Sequence, residues 1–397
     1  MRLILLAVGT ILIVGACAGD QDTSTSTVPT APPAATTTTA APATTTPPPV
    51  TTTAPLPPAS TSTTLTPTPL PPVPALLTFD GPEEVVFDWT TDACDARDIP
   101  DLPARAFRDA NGLVSLLSAH PINRRSTGPT LNDVTRDCEP IFKATRSGDP
   151  AQFTDQEWIA SVYTEDGETI YALVHNEYQG WSRGDCAGSE NFNCWYNSIT
   201  SLISTDGGKT FTYPRPPPEH LVASLPYPYI PDSAAVGVFS PSNIVRDTEG
   251  FYYALVKVGA NRTGRQTVCL MRTDSLDDPT SWRFWNGTAF DGIFVNPYTD
   301  KPESPSKNKC PALAFNEIGA QMIESLTWNT FLNQWVLVGI SADTIDGREV
   351  WGFYYSYSTD LINWTRRELL IEIALPWTVE SPGTDVFYLY PSLLDPN

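Results

Sequence analysis

An apolar run from Leu3 to Val14 follows Arg2, and the small residues Gly15 and Ala16 lead into Cys17. This is the order of a secretory signal, and the run is too short to remain as a membrane-spanning helix. From Ala18 to about Pro74 no apolar period survives; Thr, Pro, Ala and Ser with very few charges cannot bury a core and predict a disordered linker. Beyond the linker the pattern becomes strand, tight turn, strand. Pro103-Ala-Arg-Ala-Phe-Arg108-Asp109-Ala-Asn-Gly112-Leu-Val aligns without gaps to Pro241-Ser-Asn-Ile-Val-Arg246-Asp247-Thr-Glu-Gly250-Phe-Tyr. In each, Arg-Asp-x-x-Gly makes a hairpin turn with glycine free to take positive φ, flanked by β-branched and aromatic strand residues.

Weaker copies run from Trp158 to Val174 through Glu165-Asp166-Gly167 and from Ser325 to Val338, and a last start stands at Tyr390-Pro391-Ser392. Five starts at roughly 55- to 85-residue intervals predict stacked units. The outer half of a unit carries its own signal. Ser204-Thr-Asp206-Gly-Gly208-Lys-Thr-Phe211 fits S-x-D-x-G-x-T-[WF], with looser relatives at Ser358 to Trp364 and Thr273 to Trp282. Serine and aspartate in such turns bond backbone groups, so these aspartates read as structural.

A unit of about 65 residues with an inner hairpin and an outer Ser/Asp turn is a propeller blade. On these motifs the chain resembles the five-bladed propeller superfamily of glycoside hydrolase families 43, 32 and 117, with sialidase-type Asp-box turns. The expected fold is all-β: a five-bladed propeller over 75–397, preceded by a signal peptide over 1–16 and, over 17–74, a lipidated cysteine and disordered linker. Little chain follows the fifth start, so either the segment from Ala75 to Ala93, with Phe87 and Trp89, supplies the missing strands or the last blade is truncated. Val14-Gly-Ala-Cys17 resembles a bacterial lipobox, which implies lipid on Cys17 and a membrane-anchored domain facing the extracytoplasmic side. The linker reaches about 170 Å as polyproline or about 40 Å as a coil.

Composition narrows the partner. A formal charge of −21 gives no basic surplus for nucleic acid. Besides Cys17 the chain holds six cysteines, Cys94, Cys138, Cys186, Cys194, Cys269 and Cys310, an even set that predicts disulfides. Cys186 with Cys194 and Cys269 with Cys310 are plausible pairs on spacing, although spacing alone does not choose among connectivities. No CxxC or HExxH occurs, so neither a metal nor a cofactor is expected, and a monomer is.

In a propeller, residues just before each inner strand and at the end of the next strand surround one funnel. Glycoside hydrolysis needs two facing carboxyl groups, one protonated and one ionised. The resemblance implies a base at an Asp shortly before Pro in the first blade, which Asp101-Leu-Pro103 matches with one residue inserted. Where those families place an acidic Glu this chain has Ser240-Pro241, so the acid falls to Glu324 or Glu177. Asp98, Arg105, His175 and Asn243 are expected to bind substrate, His175 and Glu177 lying two apart on a strand end and so on one side. Two function classes follow: a propeller that binds or hydrolyses an extracellular or cell-wall glycan, or a non-catalytic surface module recognising a protein or wall polymer.

Overall fold

Aspartates close the repeated hairpins. Asp109 Oδ1 accepts the backbone N–H groups of Asn111 at 2.9 Å and Leu113 at 2.8 Å, with Gly112 at φ +84°. Asp247 repeats the arrangement on Glu249 and Phe251, both at 2.9 Å, with Gly250 at φ +95°. A short acceptor side chain turns the backbone and a residue without Cβ takes the left-handed position. These come from a computed structural model, which describes residues 3–4, 76–118, 120–186, 194–259, 266–378 and 386–394. The expected lipidation at Cys17 and the expected linker fall outside the described residues, as does the expected signal except Leu3–Ile4, which pairs antiparallel with Ser392–Leu393.

Nearly all regular structure is β; the described residues include two short α-helices, Trp89–Asp92 and Phe315–Ile318. The first sheet holds Arg105–Arg108, Val114–Leu117, Arg125–Thr130 and Asp133–Arg136 in that order. The last four-stranded sheet holds Ser325–Asn329, Gln334–Ile345, Arg348–Ser358 and Glu368–Glu372. Between them two antiparallel runs fuse into one ten-stranded sheet. Gln156–Tyr163, Ile170–Gln179 and Cys194–Ser204 form one run; Tyr252–Gly259, Gln266–Thr273, Arg283–Trp285 and Phe290–Ile293 form the other. The joint is Ala234–Pro241, which lies parallel to Cys194–Asn197. It passes so close that a Cβ on Gly237 would stand 2.2 Å from the Asn197 carbonyl oxygen.

The Ser/Asp turns carry the bonds their sequence implies. Ser204 Oγ accepts from Gly208 N at 2.9 Å, while Asp206 Oδ1 accepts from Lys209 N and Thr210 N at 2.9 and 3.0 Å, above a buried Phe211. Ser358 and Asp360 do the same for Leu361, Ile362 and Asn363.

Apolar faces of successive sheets pack on one another. Phe107, Leu117, Ile159 and Leu202 fill the space between the first two units, Ile199, Val256, Met271 and Phe284 the next, and Leu255, Leu270, Leu326 and Leu337 the one after. Leu393 and Leu394 join the faces left over, one packing with Val336, Val338 and Tyr355, the other with Val114 and Leu116. The segment after Ala75 reaches this region without forming a strand. Leu77 and Val86 pack there and Phe87 is buried under the Arg136 guanidinium, whereas Trp89 is exposed on a helical turn. Its contribution is therefore side chains rather than the strands expected of it.

Five stretches of chain meet at Arg105. Its Nε donates to Ala160 O at 2.8 Å, Nη1 to Ala104 O and Ser392 Oγ at 3.3 Å, and Nη2 to Pro241 O at 3.3 Å and Glu324 O at 2.8 Å. Further bonds link neighbours around this point: Ile244 N to Ser161 Oγ, Leu326 N to Asn243 Oδ1, Leu393 N to Ser325 Oγ and Ser392 Oγ to Ala104 O, at 2.8 to 3.2 Å. Disulfides join Cys94 to Cys138, Cys186 to Cys194 and Cys269 to Cys310. The last two are the pairs suggested by spacing.

Candidate functional site

Residues just upstream of the five Arg105 acceptors come together at one end of this axis. Asp101 precedes the strand of Arg105, Trp158 precedes Ala160, Phe239 and Ser240 precede Pro241, Glu324 opens its strand, and Tyr390 precedes Ser392. Alternation along Ile170–Gln179 puts His175, Glu177 and Gln179 on one side of the same end.

The Tyr390 hydroxyl donates to Asp101 Oδ1 at 3.1 Å. Asp101 keeps access to solvent but is walled in by protein, as a side chain in a concavity is, and its carboxyl is pushed up to about 6. Desolvation is the main cause and the nearby Glu177 charge adds to it, while the Tyr390 hydroxyl and His175 oppose. The buried Trp158 indole N–H also favours the Asp101 anion, although it makes no well-formed hydrogen bond. Glu177 accepts on both oxygens: Oε1 takes His175 Nε2–H at 3.0 Å and Oε2 takes Gln179 Nε2–H at 2.9 Å. The tautomer follows from the other ring nitrogen, because His175 Nδ1 accepts the Ser240 backbone N–H at 3.1 Å. His175 also packs between Trp158 and Phe239, with ring centroids 5.7 and 6.4 Å away.

Two residues at this end hold positive φ without being glycine, Ser240 at +21° and Tyr390 at +58°. Both conformations are costly and persist where surrounding bonds fix them. For Ser240 the bond is its N–H to His175, for Tyr390 its hydroxyl to Asp101.

Glu324 is buried, and its Oε2 accepts the N–H groups of Ile323 and Ile340, each at 3.1 Å. Gly339 makes room for it, since a Cβ there would stand 2.2 Å from Oε2. Burial pushes the Glu324 carboxyl up against the pull of Lys257 and the two N–H groups. Lys257 is a site residue that the sequence reading missed, though its signal was present as the one charge in the apolar strand Tyr252-Tyr-Ala-Leu-Val-Lys-Val-Gly. It lies two residues beyond Leu255 on the face turned to the last sheet, and burial pulls its ammonium down while Glu324 holds it up.

Asp101, Glu177 and His175 therefore come together, with Glu324 close enough to act on Tyr390. The remaining expected substrate ligands have other partners. Asp98 is buried beside the Cys94–Cys138 disulfide, bonded to the guanidinium of Arg136 and to Cys94 N, with Arg124 at 3.5 Å. Asn243 links two inner strands through Leu326. Arg105 has five N–H donors and all five are taken by the protein, leaving none for a ligand. Among the described residues no three His, Cys, Asp or Glu side chains are grouped to hold a metal ion.

No family model matches the chain, and no curated protein matches it. Solved structures do. One is a glycosyl hydrolase from Bacteroides ovatus, with TM-score 0.41 and 12% identity over 69% of this chain and 71% of that one. A second is an endo-arabinase from Bacteroides thetaiotaomicron, with TM-score 0.38 and 14% identity over 67% and 79%. A third is an alpha-L-arabinanase of Cellvibrio cellulosa complexed with arabinohexaose, with TM-score 0.37 and 11% identity over 70% and 79%. At these scores the functional reading rests on the side chains, not on the likeness.

Proposed function

We propose that the domain is a five-bladed propeller whose axial mouth binds an extracytoplasmic glycan and hydrolyses a glycosidic bond in it, the chain being exported and held to the membrane through lipid on Cys17. The observation that carries the reading is the convergence of Asp101 and Glu177 at one end of the Arg105 axis, Asp101 held by Tyr390 from far along the chain and Glu177 by its strand neighbours His175 and Gln179. Five acceptor segments around one guanidinium support the blade count.

The roles follow from the environments. Glu177 accepts on both oxygens, so it serves as a fixed charge rather than a proton donor. Asp101, ionised above about pH 6, takes the proton of the attacking water. Glu324, whose carboxyl burial pushes up, is the group that gives a proton to the departing glycosidic oxygen as the bond from that oxygen to the anomeric carbon breaks. Tyr390 and the His175–Glu177 pair hold Asp101 and its surroundings in place.

Reducing-sugar release by the purified protein over a panel of plant, algal and host glycans tests this, with an Asp101→Asn, Glu324→Gln double variant alongside. Release that disappears in the variant is the expected result. Binding without release would make the domain a recognition module, and release unchanged in the variant would sink the assignment of both residues.

A further inference from the structure

Charge is divided across the mouth. Asp101 and Glu177 occupy one wall, where each raises the cost of a further negative group. Lys257 stands on another, at the end of Tyr252–Gly259 and next to Phe239 in strand register, with the Phe239 ring stacked on His175. Among the described residues the Lys257 ammonium makes no hydrogen bond and no ion pair within 4 Å; Glu324 acts on it only at longer range. Glu324 Oε2 meanwhile is turned to the main-chain N–H groups of Ile323 and Ile340. Lys257 is half-buried, crowded by protein yet still reached by solvent, and an ammonium so placed without a contact partner is available to an anion. On its own face of the strand the preceding residues Tyr253 and Leu255 pack into an apolar cluster, a setting that would accommodate an uncharged residue more cheaply.

We infer that Lys257 is the anion-recognition point of this site, so that the glycan it takes is acidic, carrying a carboxylate or sulfate toward Lys257 and hydroxyl groups toward Asp101 and Glu177. The inference rests on the carbohydrate reading and deepens it. Placing the negative group against Lys257 completes the ammonium's missing contact, and the opposite orientation sets it against two carboxylates. The same division that selects the substrate therefore also fixes which way round it lies.

Affinity of the purified protein is measured for four probes: an oligogalacturonate, its fully methyl-esterified form, a sulfated galactan oligosaccharide and its desulfated form. Lys257→Met and Lys257→Arg are measured beside the wild type, each checked for a native thermal transition. The expected result is at least tenfold tighter binding of one acidic probe than of its neutral counterpart, a ratio that collapses in Lys257→Met and survives in Lys257→Arg. Which acidic probe is preferred separates carboxylate from sulfate. Equal or tighter binding of the neutral probes, or a ratio that Lys257→Met leaves unchanged, overturns the inference while leaving a glycan site in place. Failure of all four probes and of the wider glycan panel removes the carbohydrate reading and this inference with it.

Discussion

Tyr390 and Asp101, 289 residues apart in the chain, are joined by a 3.1 Å hydrogen bond from phenol to carboxylate. The phenol is pushed well above its usual range by burial and by the Asp101 charge, so it remains a donor at every working pH. It lowers the affinity of Asp101 for a proton against a larger upward push from desolvation.

Tyr390→Phe removes that donor. Asp101 then titrates higher, by roughly one unit for the loss of one hydrogen bond to a charged group. NMR titration of the Asp101 carboxyl reads the shift directly, and the acid limb of any activity profile moves with it toward higher pH. An unmoved titration would show that the hydroxyl does not tune Asp101.

Gly339 and Glu324 are tested as a pair. Gly339→Ala puts a methyl where Glu324 Oε2 now lies and detaches that oxygen from Ile323 and Ile340. Overpacking of this sort costs about 1–3 kcal/mol. In a Glu324→Ala background the methyl has room, so the penalty shrinks, and a double-mutant cycle by urea unfolding measures the coupling. Additive losses would place the strain elsewhere.

Arg105→Met leaves four carbonyl oxygens and the Ser392 hydroxyl without their shared donor. Five partners stranded in a buried place exceed an ordinary substitution, and the expected loss is more than about 4 kcal/mol. Arg105→Lys rescues little, because an ammonium offers fewer donors and no planar fork. Denaturant midpoints check this; a stable Arg105→Met protein lacking only ligand affinity would return the residue to the site.

Glu157 gives the stability of the domain a pH dependence. The carboxyl is fully buried, accepts the Tyr213 hydroxyl at 2.8 Å on one oxygen, and desolvation pushes it up to about 8. A raised carboxyl binds its proton more tightly in the folded state. Its contribution is therefore complete below the unfolded value near 4.5 and lost as pH rises through about 8. The depressed carboxyls Asp95, Asp98 and Asp206 act in the opposite sense, at pH below about 4. Between pH 5 and pH 8 the wild type should lose about 3–4 kcal/mol that Glu157→Gln does not. Thermal unfolding across this window decides it, parallel curves counting against a buried proton.

Local chemistry is what the sequence displayed. Asp109 and Asp247 announce their hairpins within five residues, Ser204 and Asp206 their turn within eight, and both need only near neighbours. Glu177 and His175 were legible for the same reason, a period of two along one strand. Arg105 was read as a ligand group because its five acceptors are scattered from Ala104 to Ser392 and only the closed structure assembles them. The partners of Asp98 are distant likewise, Arg136 at the end of Asp133–Arg136 and Arg124 just before Arg125–Thr130. Tyr390 was singled out but not its bond to Asp101; Lys257, one of six lysines, stands out only as the one charge in an apolar strand, and nothing local to it shows that it faces Glu324.

The wide spacing of the Arg105 partners has a consequence for how the chain is made. Arg105 and Ser392 are 287 residues apart, which at about 5–20 residues per second separates their synthesis by on the order of 15 to 60 s. Throughout that interval a guanidinium destined for complete burial waits for a partner not yet translated, joined only near its end by the bare apolar faces of Val336 and Val338. Nascent chains of this protein should thus depend on a holding chaperone until the strand carrying Ser392 arrives.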